Sequence, residues 1–202
     1  IFKRYYTSKD FGIDLLKSNT DFNNNGIDDY TDILNGAKIE VKNHPKYISN
    51  YYEGGYPPDD EGVCTDLIWR AFKNAGYCLK DMVDKDIMIN LNSYKNIKKP
   101  DKNIDFRRVK NLKIFFERNS TVLTNDPYEI EKWQLGDIVI YNDNHIAIIS
   151  DKRNNQGLPY IIHHYSFWQL NLEEDALTNS KITGHYRFDA NLVDKDFLIK
   201  WT

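Results

Sequence analysis

The chain has 202 residues, a net charge of −3 and 41% hydrophobic residues, which predicts one soluble globular domain long enough to bury a core. The slightly acidic balance argues against a broad nucleic-acid surface, and no apolar run approaches the roughly 20 residues of a membrane-spanning helix. Two cysteines are too few for a disulfide-rich scaffold.

The N-terminal half is predicted to be helical. A first helix is expected over Ser8–Leu16, and the polar loop "TDFNNNGIDDYTDILNGAK" leads into a second helix near Asp28. A long loop rich in Gly, Pro and Tyr follows. The apolar residues of Cys64–Ala75 recur at helical spacing, and Gly76 stands where a glycine would end that helix.

Strands are predicted after two further helices. One of these helices covers Asp81–Leu91, and the other carries the apolar residues Val109, Leu112, Phe115 and Phe116. The segment "GDIVIYNDNHIAIIS" then predicts a β-hairpin, and "PYIIHHY" and "KITGHYRF" predict two more strands. Helices followed by an antiparallel sheet indicate an α+β fold.

Cys64 stands where the polar loop "EGVCTD" becomes a helix. The unpaired N–H groups and positive partial charge of a helix N-terminus favour the thiolate, which is the nucleophilic form of cysteine. The same N–H groups stabilise the oxyanion that forms when a nucleophile attacks an amide carbonyl. Cys64 is therefore a candidate nucleophile, and such a nucleophile needs a base.

Histidine is the usual base, and the chain has five: His44, His145, His163, His164 and His185. His145 opens a predicted strand, where it shares one face with Ala147 and Ile149. The next strand offers His163 and His164 on opposite faces. One of them is placed to sit beside His145 and to hold its ring in the required tautomer.

Each of these residues also has a structural interpretation. Cys64 is alternatively a packing residue, and a strand histidine is often a satisfied core or surface residue. A Cys64–Cys78 bridge is a further alternative. It conflicts with the predicted helix, because 14 residues at about 1.5 Å rise separate the two by roughly 20 Å, whereas a disulfide needs Cα atoms within about 7 Å.

Several motifs in order resemble the papain-like cysteine peptidases of the NlpC type, which act on bacterial cell-wall peptides. The matching positions are Tyr51, Gly54, Gly55, Cys64, Gly136, Asp137, His145 and His163. A closer likeness, in "GVCTD", "NIDFRRV", "GDIV", "HIAIISD" and "ITGHYR", is to an uncharacterised bacterial branch of that superfamily, a domain-of-unknown-function family. The likeness covers about Tyr51 to Phe188. It departs from the NlpC pattern at Thr65–Asp66, which replaces Ser-Gly, and from the closer branch at His164, where Asn is frequent.

The resemblance implies a single papain-like domain over residues 1–202. In it, Cys64 attacks an amide carbonyl, His145 moves the proton and His163 orients His145. The Cys64 N–H and the Tyr51 hydroxyl are expected to bind the oxyanion. Further candidates for the oxyanion or substrate region are Asp66, His164, His185 and Arg107. His185 equally fits a strand cap, and Arg107 and Arg108 fit either a substrate carboxylate or an internal ion pair to Asp66, Asp105 or Asp137.

The segment "DFNNNGIDDYTD" has the spacing of a twelve-residue calcium loop, within an N-terminal extension over residues 1–45. Its candidate ligands are Asp21, Asn23, Asn25, the Ile27 carbonyl, Asp29 through water, and Asp32. Gly26 falls at the sharp turn, and the Ile27 side chain is expected to face the core. The alternative is a solvated Asn/Asp turn, and a dockerin module is a poorer match because only one such loop is visible. No organic cofactor is expected.

The sequence thus favours a secreted or cell-surface thiol hydrolase of cell-wall peptides, an endopeptidase or amidase, with one structural Ca²⁺. The chain begins without an initiator Met, and a leader is expected to have been removed. A thiol acyltransferase or isopeptidase acting on another amide or ester is one alternative. A catalytically silent papain-like module that binds wall peptides or a protein is another. Neither nucleic acid nor membrane insertion is expected.

Overall fold

The computed structural model describes residues 5–202, which form an α+β fold as predicted. Four α-helices are present in this part of the chain: α1 Asp29–Asn43, α2 Cys64–Asn74, α3 Leu79–Ile89 and α4 Val109–Asn119. The predicted helix over Ser8–Leu16 is wrong. Only a 3₁₀ turn, Ser8–Phe11, forms there, because Gly12 adopts φ 65° and ends it.

The main sheet has six antiparallel strands among the described residues. In spatial order they are β3 Thr121–Val122, β8 Ile182–Arg187, β4 Ile138–Tyr141, β5 His145–Arg153, β6 Pro159–Ile162 and β7 Glu173–Glu174. The predicted hairpin is the β4–β5 pair, with Tyr141 opposite His145. A separate parallel pair joins β1 Lys46–Tyr47 to β2 Glu61–Gly62.

The strand alternation divides the interior into two apolar layers. Ile140, Ile146 and Ile148 pack with the helices, in the same cluster as Cys64. Tyr141, Ala147 and Ile149 face the opposite side, in a second cluster. The face shared by His145, Ala147 and Ile149 is therefore turned away from α2, and this decides how the site is arranged.

Helices α1 and α2 lie close together in the first layer. A Cβ on Gly36 would come within 2.7 Å of the Ala71 Cα atom, so the contact requires a residue without a side chain. Ile33 and Ala37 of α1 belong to the same core cluster as Cys64. Helix α1 therefore helps to form the core that holds the start of α2.

Candidate active site

Cys64 is the first residue of α2, and its thiol is free. The predicted alternative of a bridge to Cys78 is not formed. Backbone N–H groups of Ile146, Thr65 and Cys64 itself lie near enough to the sulfur to stabilise a thiolate there, so the sulfur is near the residue that follows His145. The side chain is nevertheless buried, with 8% exposure. Burial raises the pKa of the Cys64 thiol to about 11, since it outweighs the stabilisation of the thiolate by the three N–H groups.

His145 and His163 form a hydrogen-bonded pair that leads to a carboxylate. Nε2 of His145 lies 2.9 Å from Nδ1 of His163, and Nε2 of His163 lies 3.1 Å from Oε2 of Glu174. We call these three residues the His–His–Glu relay. They line a cavity of about 340 Å³, together with Tyr141 and Tyr165.

The hydrogen bonds of the relay fix the ring tautomers. A carboxylate only accepts, so His163 donates from Nε2 to Glu174, and its Nδ1 carries a lone pair. That lone pair accepts from the Nε2–H of His145, which leaves Nδ1 of His145 unprotonated. Nδ1 of His145 makes no hydrogen bond to another residue within 5–202, so it is available as a base.

Both imidazoles are neutral at physiological pH. Burial lowers the pKa of His145 to about 4, and the neighbouring His163 and His164 contribute to the decrease. Burial alone lowers the pKa of His163 to about 4, and it raises the pKa of Glu174 above its usual range. The thiol and the imidazole are therefore both neutral, and a preformed thiolate–imidazolium pair is absent from this structure.

Cys64 and His145 line adjacent cavities that share Asn144. Cys64 opens into a groove of about 860 Å³, lined also by Tyr47, Arg108 and Lys110, which we call the Cys64 groove. No hydrogen bond joins Cys64 to His145 in the described part of the chain.

Tyr47, and not Tyr51 as predicted, is the tyrosine that lines the Cys64 groove. The Tyr51 hydroxyl is bonded to Asp101 at 3.2 Å and to Asn103 at 3.1 Å, and its side chain does not line the Cys64 groove. Tyr47 lines the groove, and it lies near enough to Cys64 for a thiolate there to help raise the pKa of its phenol, after burial. Tyr47 is therefore the better candidate for binding an oxyanion.

Asp66 and Arg107 are bonded to each other. Both are buried, and they form a bidentate ion pair with bonds of 2.7 and 2.8 Å. Asp66 also accepts from the Val63 N–H and from Nε1 of Trp69. The alternative prediction of an internal ion pair to Asp66 is thus correct for Arg107, which also lines the Cys64 groove.

His185 is also a structural residue. It is fully buried, lies 2.9 Å from Asp137 and 2.8 Å from the Thr124 carbonyl, and stacks on Trp133. It therefore does not line the cleft. His164, on the opposite face from His163 as predicted, meets the Tyr47 ring edge-on with centroids 5.0 Å apart. Burial lowers the pKa of His164 to about 4, and its position fits support of Tyr47.

Glu174 and Tyr47 were missed by sequence reasoning. Glu174 reaches His163 because β7 pairs with β6, and nothing in the local sequence "NLEED" marks that pairing. Tyr47 lies 17 residues before Cys64, in the short strand β1, whose position is set by its parallel pairing with β2.

The asparagine-rich loop is tightly ordered around its carboxylates. Asp21 accepts from the N–H groups of Asn25 and Gly26, and Asp32 accepts from the side-chain amides of Asn23 and Asn25. Burial raises the pKa of Asp32. The side-chain amide of Asn23 also donates to the Asn74 carbonyl, which ties the loop to the end of α2.

Two predicted details of this loop are wrong. Asp29 accepts from the Phe22 N–H and the Tyr77 hydroxyl, so its carboxylate anchors the loop to the core and is not directed at a ligand. The Ile27 side chain is 38% exposed, because the turn at Gly26 directs it outward. Within residues 5–202, no group of three His, Cys, Asp or Glu side chains is arranged to hold a metal ion.

The chain is similar to the Uncharacterized protein YijF of Escherichia coli (strain K12), with 34% identity over 167 residues, which is 77% of this chain and 80% of the relative. No solved structure matches the chain. In the part that the structure describes, no helix has the length and apolar character required to cross a membrane. Residues 34–188 match the family described as a domain of unknown function, DUF1287, and the chain therefore belongs to that family.

Proposed function

We propose that this protein is a thiol-dependent amide hydrolase, an endopeptidase or amidase, that acts on bacterial cell-wall peptides outside the cytoplasm. One observation carries the proposal. The sulfur of a cysteine at a helix N-terminus lies near the backbone N–H of Ile146, and the preceding residue, His145, has a free Nδ1 that is defined by the His–His–Glu relay. The helix that begins at Cys64 packs on an antiparallel sheet, as expected of a papain-like NlpC-type domain.

The proposed reaction is acyl transfer in two stages. The Cys64 side chain moves away from the backbone N–H groups and transfers its proton to Nδ1 of His145. The sulfur then forms an S–C bond to the amide carbonyl. The C–N bond then breaks as Nδ1 returns the proton to the leaving amine. Water, deprotonated by His145, hydrolyses the thioester to a free carboxylic acid and restores the thiol. The Cys64 N–H and the Tyr47 hydroxyl stabilise the oxyanion in both stages.

A silent papain-like binding module is the second candidate, because the Cys64 thiol is buried and its pKa is raised to about 11. Digestion of purified peptidoglycan, read by mass spectrometry, separates the two candidates. We expect new peptide termini with the untreated protein and none after alkylation of the thiol at high pH. If the peptidoglycan stayed intact after prolonged incubation with folded protein, the result would contradict the hydrolase and favour the binding module. Cleavage of only non-wall amides or esters would favour the isopeptidase or acyltransferase alternative.

We also propose that the asparagine-rich loop binds one structural Ca²⁺. The donor set contains oxygen ligands only: the carboxylates of Asp21 and Asp32, the amides of Asn23 and Asn25, and the Ile27 carbonyl. Binding requires both amides to present oxygen to the ion, whereas here they donate N–H to Asp32. Two carboxylates correspond to a modest affinity. With the loop tied to α2, the ion would stabilise the packing of α1 on the domain.

Calcium should raise the melting temperature relative to chelator. At roughly ten times Kd the stabilisation is about 1.4 kcal/mol, which corresponds to a rise of about 3–6 °C for a chain of this size. Differential scanning calorimetry measures this rise, with Mg²⁺ as the ion control and Asp32→Asn as the ligand control. Absence of both binding heat and a melting shift in the unmodified chain would refute the calcium site.

A further inference from the structure

The Cys64 groove carries four exposed cations, of which Arg108 and Lys110 also act electrostatically on Asp105 and Asp143. Lys98, Lys99, Arg108 and Lys110 line it and are exposed. Within residues 5–202 their side chains form no ion pair and no hydrogen bond. Lys98 and Lys99 lie in the loop before α4, Arg108 is the N-cap of α4, and Lys110 is in its first turn, so positive charge lines this wall of the groove.

The acidic residues of the same groove are already engaged. Asp101 accepts from the Tyr51 hydroxyl and the Asn103 N–H, and Asp105 is buried and accepts from the Asp101 N–H. Asp143 is paired with Lys113, and that hydrogen bond lowers its pKa. The three carboxylates of the groove are therefore already bonded to other groups. The groove has a local excess of available positive charge, although the net charge of the chain is −3.

We infer that the Cys64 groove binds an acidic peptide, one with at least two carboxylates, along the wall formed by Lys98, Lys99, Arg108 and Lys110. Arg108 offers a planar fork that matches a carboxylate bidentately, and the lysines add point charges. The inference rests on the proposed function, because it assigns a substrate class to the site of Cys64. Its binding step is independent of hydrolysis.

Four cations favour a short peptide over a nucleic acid. A polyanion with a charge at every phosphate needs an extended basic surface. The four cations here lie in one groove and form no such extended surface. A peptide places its carboxylates at intervals and leaves its backbone amides near Cys64, where the proposed reaction occurs.

The test measures binding by a variant that does not cleave. Cys64→Ala, with Cys64→Ser as a second form, is titrated with fluorescein-labelled Ala-Glu-Ala-Glu-Ala and with its glutamine counterpart, and anisotropy is recorded at low salt. We expect the glutamate peptide to bind at least tenfold more tightly. In the same background, Lys98→Gln with Lys99→Gln, or Arg108→Gln alone, should remove most of that difference.

A matched control lies in the same loop. Lys95 and Lys102 are equally exposed but do not line the groove, so Lys95→Gln with Lys102→Gln removes the same charge and should leave the discrimination unchanged. Equal binding of the two peptides, or an equal loss in the control, would overturn the inference. Tighter binding of a labelled oligonucleotide than of the peptide would overturn the peptide assignment. If the glutamate peptide bound more tightly than the glutamine peptide but the unmodified chain hydrolysed nothing, only the proposed function would be refuted.

Discussion

Replacement of Cys64 by alanine should abolish amide hydrolysis. The nucleophile forms the covalent intermediate, so its loss is expected to reduce kcat by about 10⁴–10⁶-fold, with residual turnover only from groups that bind the oxyanion and substrate. The measurement is the rate of release of new amino groups from a wall-peptide substrate. Cys64→Ser should be nearly as inactive, because Nδ1 of a neutral His145 has to deprotonate an alcohol in place of a thiol.

Cys78 provides the matched control for this experiment. It is also a free, buried cysteine with a raised pKa, but it precedes α3 and lies 3.8 Å from the Tyr56 hydroxyl. Cys78→Ala should retain hydrolysis. Melting curves of both variants report any loss of packing, which is expected to be similar because the same sulfur is removed. Full activity in a folded Cys64→Ala protein would disprove the nucleophile, whatever its substrate.

Glu174→Gln should reduce hydrolysis by about 10²–10⁴-fold through the relay, although Glu174 touches no substrate in the proposed mechanism. A glutamine amide can donate to Nε2 of His163, where the carboxylate can only accept. His163 would then carry its proton on Nδ1 and donate to Nε2 of His145. Nδ1 of His145 would in turn hold the proton and lose its role as base.

The pH profile separates this positioning role from a purely structural one. In the unmodified protein, hydrolysis needs neutral His145, so kcat/KM should be retained above its pKa of about 4 and fall as pH decreases through that value. Loss of the carboxylate removes stabilisation of the imidazolium, so in Glu174→Gln the acid limb should move to lower pH. An unchanged limb together with a lower melting temperature would indicate a structural residue only.

Glu173 provides the matched control, because it allows the same Glu→Gln substitution at a residue outside the His–His–Glu relay. Glu173 is bonded to Lys152 and Ser150, on the opposite face of the strand from Glu174. Glu173→Gln should cost some stability by weakening that ion pair, yet keep the rate of hydrolysis. If both variants lost activity equally, the edge strand would matter only for folding, and the tautomer argument would fail.

Much of the scaffold follows from the residue pattern. The helical spacing of Leu67, Ile68 and Phe72 predicts α2, and all three are buried against the sheet. The hairpin and the opposite faces of His163 and His164 follow from the two-residue repeat of a strand. These features depend on neighbours a few residues apart, and such contacts are readable from the chain.

Most failures of prediction depend on contacts between distant segments or on burial, whereas the first predicted helix fails for a local reason. The apolar residues near Leu15 and Leu16 looked helical, but both are exposed and Gly12 ends the turn before them. A helix N-terminus favours a thiolate, yet enclosure of Cys64 by other elements raises its pKa.

The sequence by itself determined the secondary structure around Cys64 and His145, because local periodicity sets which side of a helix or strand each residue occupies. Only the tertiary structure decided that Glu174 meets His163, that Tyr47 and not Tyr51 lines the Cys64 groove, and that Asp66 pairs with Arg107. These choices depend on the order of strands in the sheet and on the water excluded between layers. Both arise when the whole chain packs together, and neither can be predicted from any one segment.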